Sequence, residues 1–332
     1  MNKMYTIFIE EHEKNDATSY YIEIIRTAIT KLTDEVKEVT SIKEIGKNDV
    51  VIVITIKTFF LVWAKNRKQE IYIWFQGILP EENLMMFKGL KKYFKYAYNR
   101  ILEKLALCYC KKAFFVSEAM NKHYQKIYGY KGDKHFIMPC FNQELELSCF
   151  NDDKYKKPTF VYAGSLASWQ CVDESLKLFK KIKDNIPNAT ITLLTKEKKK
   201  ALELAKRYGI NELTVRYIPY TELNHEMSKY KYGFLLRKDT SVNNVATPTK
   251  MNSYMACGVI PVFSDVIGDF KDALENVKYK IAVSSFDDCI NTLQEIENEE
   301  LNSVEILKEY KKIFESYYSK VFYVEKIVNF LK

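Results

Sequence analysis

The stretch LLRKDTSVNNVATPTKMNSYMACGVIPVFSD, residues 235–265, decides how this chain folds. It opens on the end of an apolar run, YGFLL (232–236), that has strand composition. A polar loop, Lys238 to Ala246, leads to Thr247-Pro248, a good helix N-cap followed by the residue favoured at the first helical position. A helix is therefore expected over Pro248 to Cys257, and VIPVF (259–263) then reads as the next strand. Strand, loop, helix and strand in this order make a βαβ crossover and imply a parallel sheet.

The same alternation runs outward in both directions. Downstream of a polar, proline-closed segment at 142–158, strands are expected at 159–163, 189–194 and 213–218, with helices at 173–183, 196–208 and 220–230. Upstream, strands are expected at 4–9, 50–56, 71–75 and 113–117, helices at 19–32 and 118–128, and one or two helices over 84–110. The expected fold class is α/β, with two Rossmann-like, doubly wound parallel-sheet domains facing across a cleft. The expected boundaries are 1–150 and 151–310, with 311–332 a terminal helix packing back toward the first domain. In such folds ligands bind outside the carboxyl ends of the strands.

Composition bounds the function classes. The chain has 332 residues, 47% hydrophobic and 28% charged, which suits a globular protein of two domains. Its net charge is +8, from 51 Lys and Arg against 43 Asp and Glu, a modest excess that favours anionic partners. Seven cysteines, an odd number in mostly apolar surroundings, read as buried thiols in a reducing cytosol. No signal peptide is indicated, and the apolar run 50–64 carries Lys57 and is too short to span a bilayer. The four histidines, at 12, 123, 135 and 225, have no metal-ligand spacing and none reads as standing beside a carboxylate cluster. No metal is expected, nor is one expected at the acid pairs 152–153 and 287–288.

Arg237 sits at the carboxyl end of its strand, and Lys250 lies in the first turn of the helix that follows. A cation in that turn is disfavoured by the helix dipole unless an anion is near. Arg237, Lys250 and the helix N-terminus thus suggest a diphosphate cradle.

This stretch resembles the donor-binding segment of glycosyltransferase family 4 and related two-domain (GT-B) transferases. The resemblance extends to FVYAGSL (160–166) with Trp169-Gln170, to WFQGILPEEN (74–83) and to FVSEAMNKHY (115–124). It implies a bacterial polysaccharide transferase that uses a nucleoside-diphosphate sugar as substrate and needs no other cofactor. Arg237 and Lys250 would be catalytic, stabilising the leaving diphosphate. Gly164, Ser165, Gln170, Tyr220, Thr247, Pro248 and Ser253 would bind the donor, and Gln76, Gly77 and Glu81 the acceptor. Two glutamates common in the family fall here at Val245 and Ser253, a departure at the ribose end. The resemblance implies retention of configuration, with the donor phosphate taking the acceptor proton. An inverting enzyme would need a carboxylate base, for which Glu10, Glu11, Asp16, Glu81 and Glu82 are the candidates.

The segment 87–112 mixes Lys and Arg with Phe, Tyr and Leu. It reads either as a core-packed helix or as a peripheral contact with an anionic membrane, presenting a glycan or lipid-linked acceptor. No nucleic-acid motif accompanies it. The expected location is the cytoplasm, at the inner face of the cell membrane. A sugar-nucleotide epimerase or phosphorylase and a non-catalytic nucleotide-sugar or membrane-surface binding protein are the alternative readings.

Overall fold

The structure is a computed structural model that describes residues 3–14 and 16–332, apart from the side chains of Asp16 and Ala17. Asp16 as a candidate base therefore lies outside the described side chains. The chain forms two compact units. The first comprises Met1–Asn142, Asn244–Thr247 and Ser319–Lys332; the second comprises Gln143–Asn243 and Pro248–Tyr318.

The first unit holds six parallel strands: β1 (Tyr5–Phe8), β2 (Val36–Val39), β3 (Val50–Val53), β4 (Glu70–Phe75), β5 (Lys112–Phe115) and β6 (His135–Ile137). Their order is β2-β1-β3-β4-β5-β6. The second unit holds β7 (Thr159–Ala163), β8 (Thr190–Leu194), β9 (Leu213–Arg216), β10 (Tyr232–Leu235), β11 (Ile260–Ser264) and β12 (Ile281–Val283), also parallel, in the order β12-β11-β10-β7-β8-β9. Each is a doubly wound α/β sheet. The central strands are buried along their whole length because helices cover both faces, which is why they read as unbroken apolar runs. In each sheet the winding reverses once, between β1 and β3 and between β7 and β10. Those reversals are where a doubly wound sheet opens for a ligand.

Several boundaries differ from the sequence expectation. The strand expected at 50–56 stops at Val53, because the Thr55 hydroxyl accepts from the Thr58 N–H and caps a helix, Ile56–Lys65. Of the one or two helices expected over 84–110 there are two, Lys91–Tyr109 and an earlier-starting Leu79–Met86, parted at Gly89, whose φ of +62° only glycine adopts readily. The short strands β2, β6 and β12 carry too few residues for period two to register.

The polar segment 142–158 belongs, from Gln143 on, to the second unit. Lys154 and Tyr155 are buried there. The Lys154 ammonium donates to the carbonyls of Cys149 and Cys257, and the Tyr155 hydroxyl donates to the Gly258 carbonyl at 2.6 Å. At the carboxyl end the expected single helix is two. Ser303–Glu315 belongs to the second unit, whereas Lys320–Leu331, capped by Ser319, belongs to the first.

One contact fixes the middle of the second sheet. The Tyr254 ring lies against Gly233 in β10, so close that a Cβ there would meet three ring atoms at 2.8 Å. The Tyr254 hydroxyl donates to the Phe234 carbonyl at 3.1 Å and accepts from the Ala163 N–H at 3.3 Å, tying the helix Thr249–Ala256 to β10 and β7. Gly233→Ala is expected to lower the unfolding free energy by about 1–3 kcal/mol through overpacking. Denaturant unfolding checks this, and an unchanged midpoint would mean that the ring is not held in place.

Candidate functional site

The winding reversal of the second unit brings two segments together. β7 ends at Ala163 and passes into Gly164; β10 ends at Leu235 and passes through Leu236 into Arg237. Arg237 is held at three points. Its backbone N–H donates to the Ser264 hydroxyl (2.8 Å) at the end of β11. One guanidinium nitrogen donates to the Gln170 and Leu236 carbonyls, at 3.0 and 2.9 Å, and the other donates to Gln170 Oε1 at 2.8 Å. Only 8% of the residue is exposed.

Lys250, in the first turn of the helix Thr249–Ala256, reaches the same amide oxygen. Its ammonium also donates to the Tyr162 hydroxyl at 3.3 Å and stands 4.7 Å from the centre of that ring. Among the described residues no carboxylate pairs with either cation. Burial, and then the charge of Arg237, hold the Lys250 ammonium well below the ordinary lysine range. Burial also lowers Arg237. Two cations thus share one neutral oxygen in a desolvated position, an arrangement that an anion would relieve.

The glycine loop lies directly against Lys250. Gly164 has φ +137°, and a Cβ there would meet Lys250 Cε at 2.9 Å and Nζ at 3.0 Å. Glycine is required twice, for the backbone angle and for the approach of the lysine. The loop is tied down by the Tyr162 hydroxyl, which donates to the Ser165 carbonyl at 2.6 Å, and by the Glu197 carboxylate, which accepts the Leu166 N–H at 2.6 Å. Cys171, directly after Gln170, has φ +52°, a conformation that costs a non-glycine residue about 1–2 kcal/mol. The strain sits where the loop turns Gln170 toward both cations.

Arg237, Lys250, Gln170 and Gly164 are therefore brought together, with the Ser165 backbone beside them. The remaining donor-side residues are placed differently. Thr247 is not the N-cap of the helix. Pro248 takes that position, and the buried Thr247 hydroxyl is used within the first unit, donating to the Val116 carbonyl (3.3 Å) and accepting the Cys140 N–H (2.9 Å). The Ser253 hydroxyl turns back on its own helix, donating to the Thr249 carbonyl at 3.2 Å. Tyr220 is exposed in a short turn after β9, at the sheet edge two strands from β7. Sequence reading missed Tyr162, Ser264 and Glu197. The alternation of FVYAG, which puts Tyr162 and Gly164 on one face of β7, was the available signal for the first.

In the first unit, Gln76 and Gly77 follow β4. Gln76 donates to the Ile54 carbonyl at 2.9 Å, and any side chain at Gly77 would collide with the Glu82 carboxylate. Both line a cavity of about 380 Å³ with Thr55, Trp74 and Glu82. Burial, then the charge of Glu81, raise the Glu82 carboxyl. Glu81 stands 3.5 Å from His123. The Gly77 carbonyl accepts from Tyr124, whose hydroxyl also reaches buried Glu103, itself pushed up to about 8 by burial.

At the β1–β3 reversal of this unit the reading of His12 needs correction. Ligand atoms of Glu10, His12 and Glu13 all lie within 4.8 Å of one another, so this histidine does stand with carboxylates. Two of the three acids and bases are already engaged. Glu10 pairs with Lys57 at 2.6 Å, and Glu13 accepts from the Thr55 hydroxyl (2.9 Å) and the Glu10 N–H (3.1 Å).

Comparison with solved structures identifies the architecture. A sucrose-phosphate synthase from Thermosynechococcus elongatus matches with a TM-score of 0.69 and 10% identity, over 99% of this chain and 98% of that one. The fold is that of the GT-B glycosyltransferases. TarM of S. aureus, solved with UDP and α-GlcNAc-glycerol, matches with a TM-score of 0.61 and 13% identity, over 84% of this chain. The pneumococcal O-GlcNAc transferase GtfA, solved with UDP and GlcNAc, matches with a TM-score of 0.60 and 13% identity, over 87%. This chain spans 55% of TarM and 59% of GtfA. No family profile matches the sequence, and no curated protein matches it.

If the two cations lack an anion, supplying one in place of the amide should stabilise the protein. Gln170→Glu is expected to raise the unfolding free energy by about 1–3 kcal/mol at neutral pH while blocking anion binding. Denaturant unfolding with and without a nucleoside diphosphate checks both halves. Unchanged or lower stability would mean that the cations are already compensated.

Proposed function

We propose that this GT-B chain is a glycosyltransferase taking its sugar from a nucleoside diphosphate, with the diphosphate held by Arg237 and Lys250. The observation that carries the reading is the pair of desolvated cations on Gln170 Oε1, at the point where the sheet opens. The neighbours solved with UDP support it by their chemistry.

In this reading Gln170 gives way to a phosphate oxygen, and Gly164 lets the diphosphate approach the loop backbone. The bond between the sugar anomeric carbon and the β-phosphate oxygen breaks as the acceptor oxygen bonds to that carbon. The acceptor proton passes to a phosphate oxygen on the same face, so configuration is retained. Fixed positive charge in a desolvated site stabilises the departing diphosphate without reorganising, which is where the largest catalytic gain arises. The transfer is metal-independent, because these cations take the place of a divalent ion on the leaving group. The acceptor is a glycan or lipid-linked glycan bound near Gln76, Gly77 and Glu81, in bacterial surface polysaccharide synthesis on the cytoplasmic side. No helix among the described residues is long and apolar enough to cross a membrane.

One observation favours a second reading, a non-catalytic binder of nucleotide sugars. Val245 is 3% exposed, and its carbonyl accepts the Ser117 hydroxyl, while Ser253 faces its own helix; neither supplies the carboxylate that grips ribose elsewhere in the family. A panel of UDP-, GDP- and dTDP-sugars, scored by thermal shift and by release of nucleoside diphosphate, separates the two. The transferase reading predicts stabilisation and acceptor-dependent release, each reduced in Arg237→Ala and Lys250→Ala, with release falling about 10²–10³-fold. Stabilisation without release, with lipid-linked acceptors present, would establish the binder. No stabilisation by any nucleotide would overturn the donor site.

A further inference from the structure

The helix Lys91–Tyr109 packs on the rest of its unit by one face only. Glu103, Ala106 and Leu107 are buried, and Glu103 accepts from the hydroxyls of Tyr128 (2.8 Å) and Tyr124 (3.3 Å). The opposite face is apolar and open. Leu90 is 75% exposed, Phe94 76%, Tyr98 63% and Ile101 60%. These positions are three or four residues apart, so they form a single stripe along a helix about 28 Å long. Tyr93 flanks the stripe, Tyr109 continues it, and Leu61 of the neighbouring helix Ile56–Lys65 adds an exposed side chain. Solvated helices do not ordinarily expose a continuous stripe of large apolar groups, which marks an interaction surface.

Charge identifies the occupant. Residues 87–112 carry eight Lys and Arg and one acid, Glu103, which lies on the buried side. Lys91 and Lys95 border the stripe on one side, and Lys104 and Arg100 border it on the other. The neighbouring helix Ile56–Lys65 contributes no acid. Lys91 and Lys95 already lie over the Phe87 ring, at 5.4 and 4.5 Å from its centre, and Lys92 lies 4.9 Å from that of Tyr93. A second copy of the chain is a poor occupant, because a two-fold contact would set these cations against one another. Single-stranded nucleic acid would use the rings and the charges but leave Leu90 and Ile101 without a partner. A bilayer with anionic headgroups satisfies every part. Apolar tips enter the acyl boundary, the rings sit at headgroup depth, and lysine stems extend to the phosphates.

We infer that this face docks on an anionic lipid surface, with the helix lying in the interfacial plane. The inference stands on the first unit alone and holds whether or not the donor reading does. It gives the chain a place at the membrane without a spanning segment.

Sedimentation of the full chain with sucrose-loaded vesicles tests it. Vesicles of phosphatidylcholine with about one third phosphatidylglycerol are compared with pure phosphatidylcholine. Binding to the mixed vesicles is expected, weakening as salt shortens the range of the charges. Each juxtamembrane lysine contributes about fivefold to partitioning, so Lys91→Glu with Lys95→Glu should lose at least about tenfold. Phe94→Asp with Ile101→Asp should lose a similar factor even at low salt. All four positions are at the surface, and unchanged unfolding midpoints in both variants would show that the fold is intact. Equal sedimentation of wild type and variants would overturn the inference, as would equal binding to neutral vesicles. Self-association that the Phe94→Asp, Ile101→Asp variant abolishes, or preferential binding of a single-stranded oligonucleotide, would overturn it in favour of those partners.

Discussion

Arg237 and Lys250 both donate to one amide oxygen, that of Gln170, and the rest of the second unit is arranged around that contact. Two positive groups in a desolvated position repel each other, and a neutral acceptor cannot offset the cost. The buried lysines Lys154 and Lys231 are handled otherwise. Lys231, 2% exposed, pairs with Glu297 at 2.6 Å. Among the described residues Lys154 pairs with no acid, and burial brings it down to about 8, but it faces two backbone carbonyls. Among the described residues, it is at the ends of β7 and β10 that a half-buried lysine, Lys250, shares its acceptor with a buried arginine. A fold that keeps such a pair holds a site less stable than it could be, the usual condition of a site shaped for a ligand.

The sheet topology produces this pairing. β7 and β10 are neighbours in space although β8 and β9 intervene in sequence, so Gly164 and Arg237 follow adjacent strand ends only because the winding reverses between them. Ser264, at the end of β11, then fixes the Arg237 backbone, while Tyr254 anchors the helix that carries Lys250. The Tyr254 ring needs Gly233 bare, and the Lys250 side chain needs Gly164 bare. Two glycines, one within β10 and one directly after β7, therefore set the depth at which the helix and its lysine lie.

Much of this was legible in the sequence. Continuous apolar runs such as VVIV and YGFL announce strands buried on both faces, and their separation by helices of ordinary length announces a parallel sheet. Arg237 and Lys250 could be picked out because one stands at a strand's carboxyl end, where ligands bind, and the other in a helix's first turn, where a cation is unfavourable without an anion. What escaped was tertiary. Thr247 has the residue type of a helix cap, yet its hydroxyl is used by Val116 and Cys140, more than a hundred residues earlier. The Glu10, His12 and Glu13 group was overlooked because the turn after β1, not any metal-like spacing, gathers it. The basic aromatic helix left two readings open in the sequence, core-packed or peripheral, because which face packs inward could not be read from it. Glu103 then proved to mark the inner face, leaving Phe94 and Ile101 outside.

The measurement that bears most directly on the central claim is the structure of the chain with a nucleoside diphosphate bound. The account predicts phosphate oxygens within about 3 Å of both the Arg237 guanidinium and the Lys250 ammonium, with the Gln170 side chain displaced from between them. A diphosphate bound elsewhere, with Gln170 Oε1 still shared by the two cations, would contradict it.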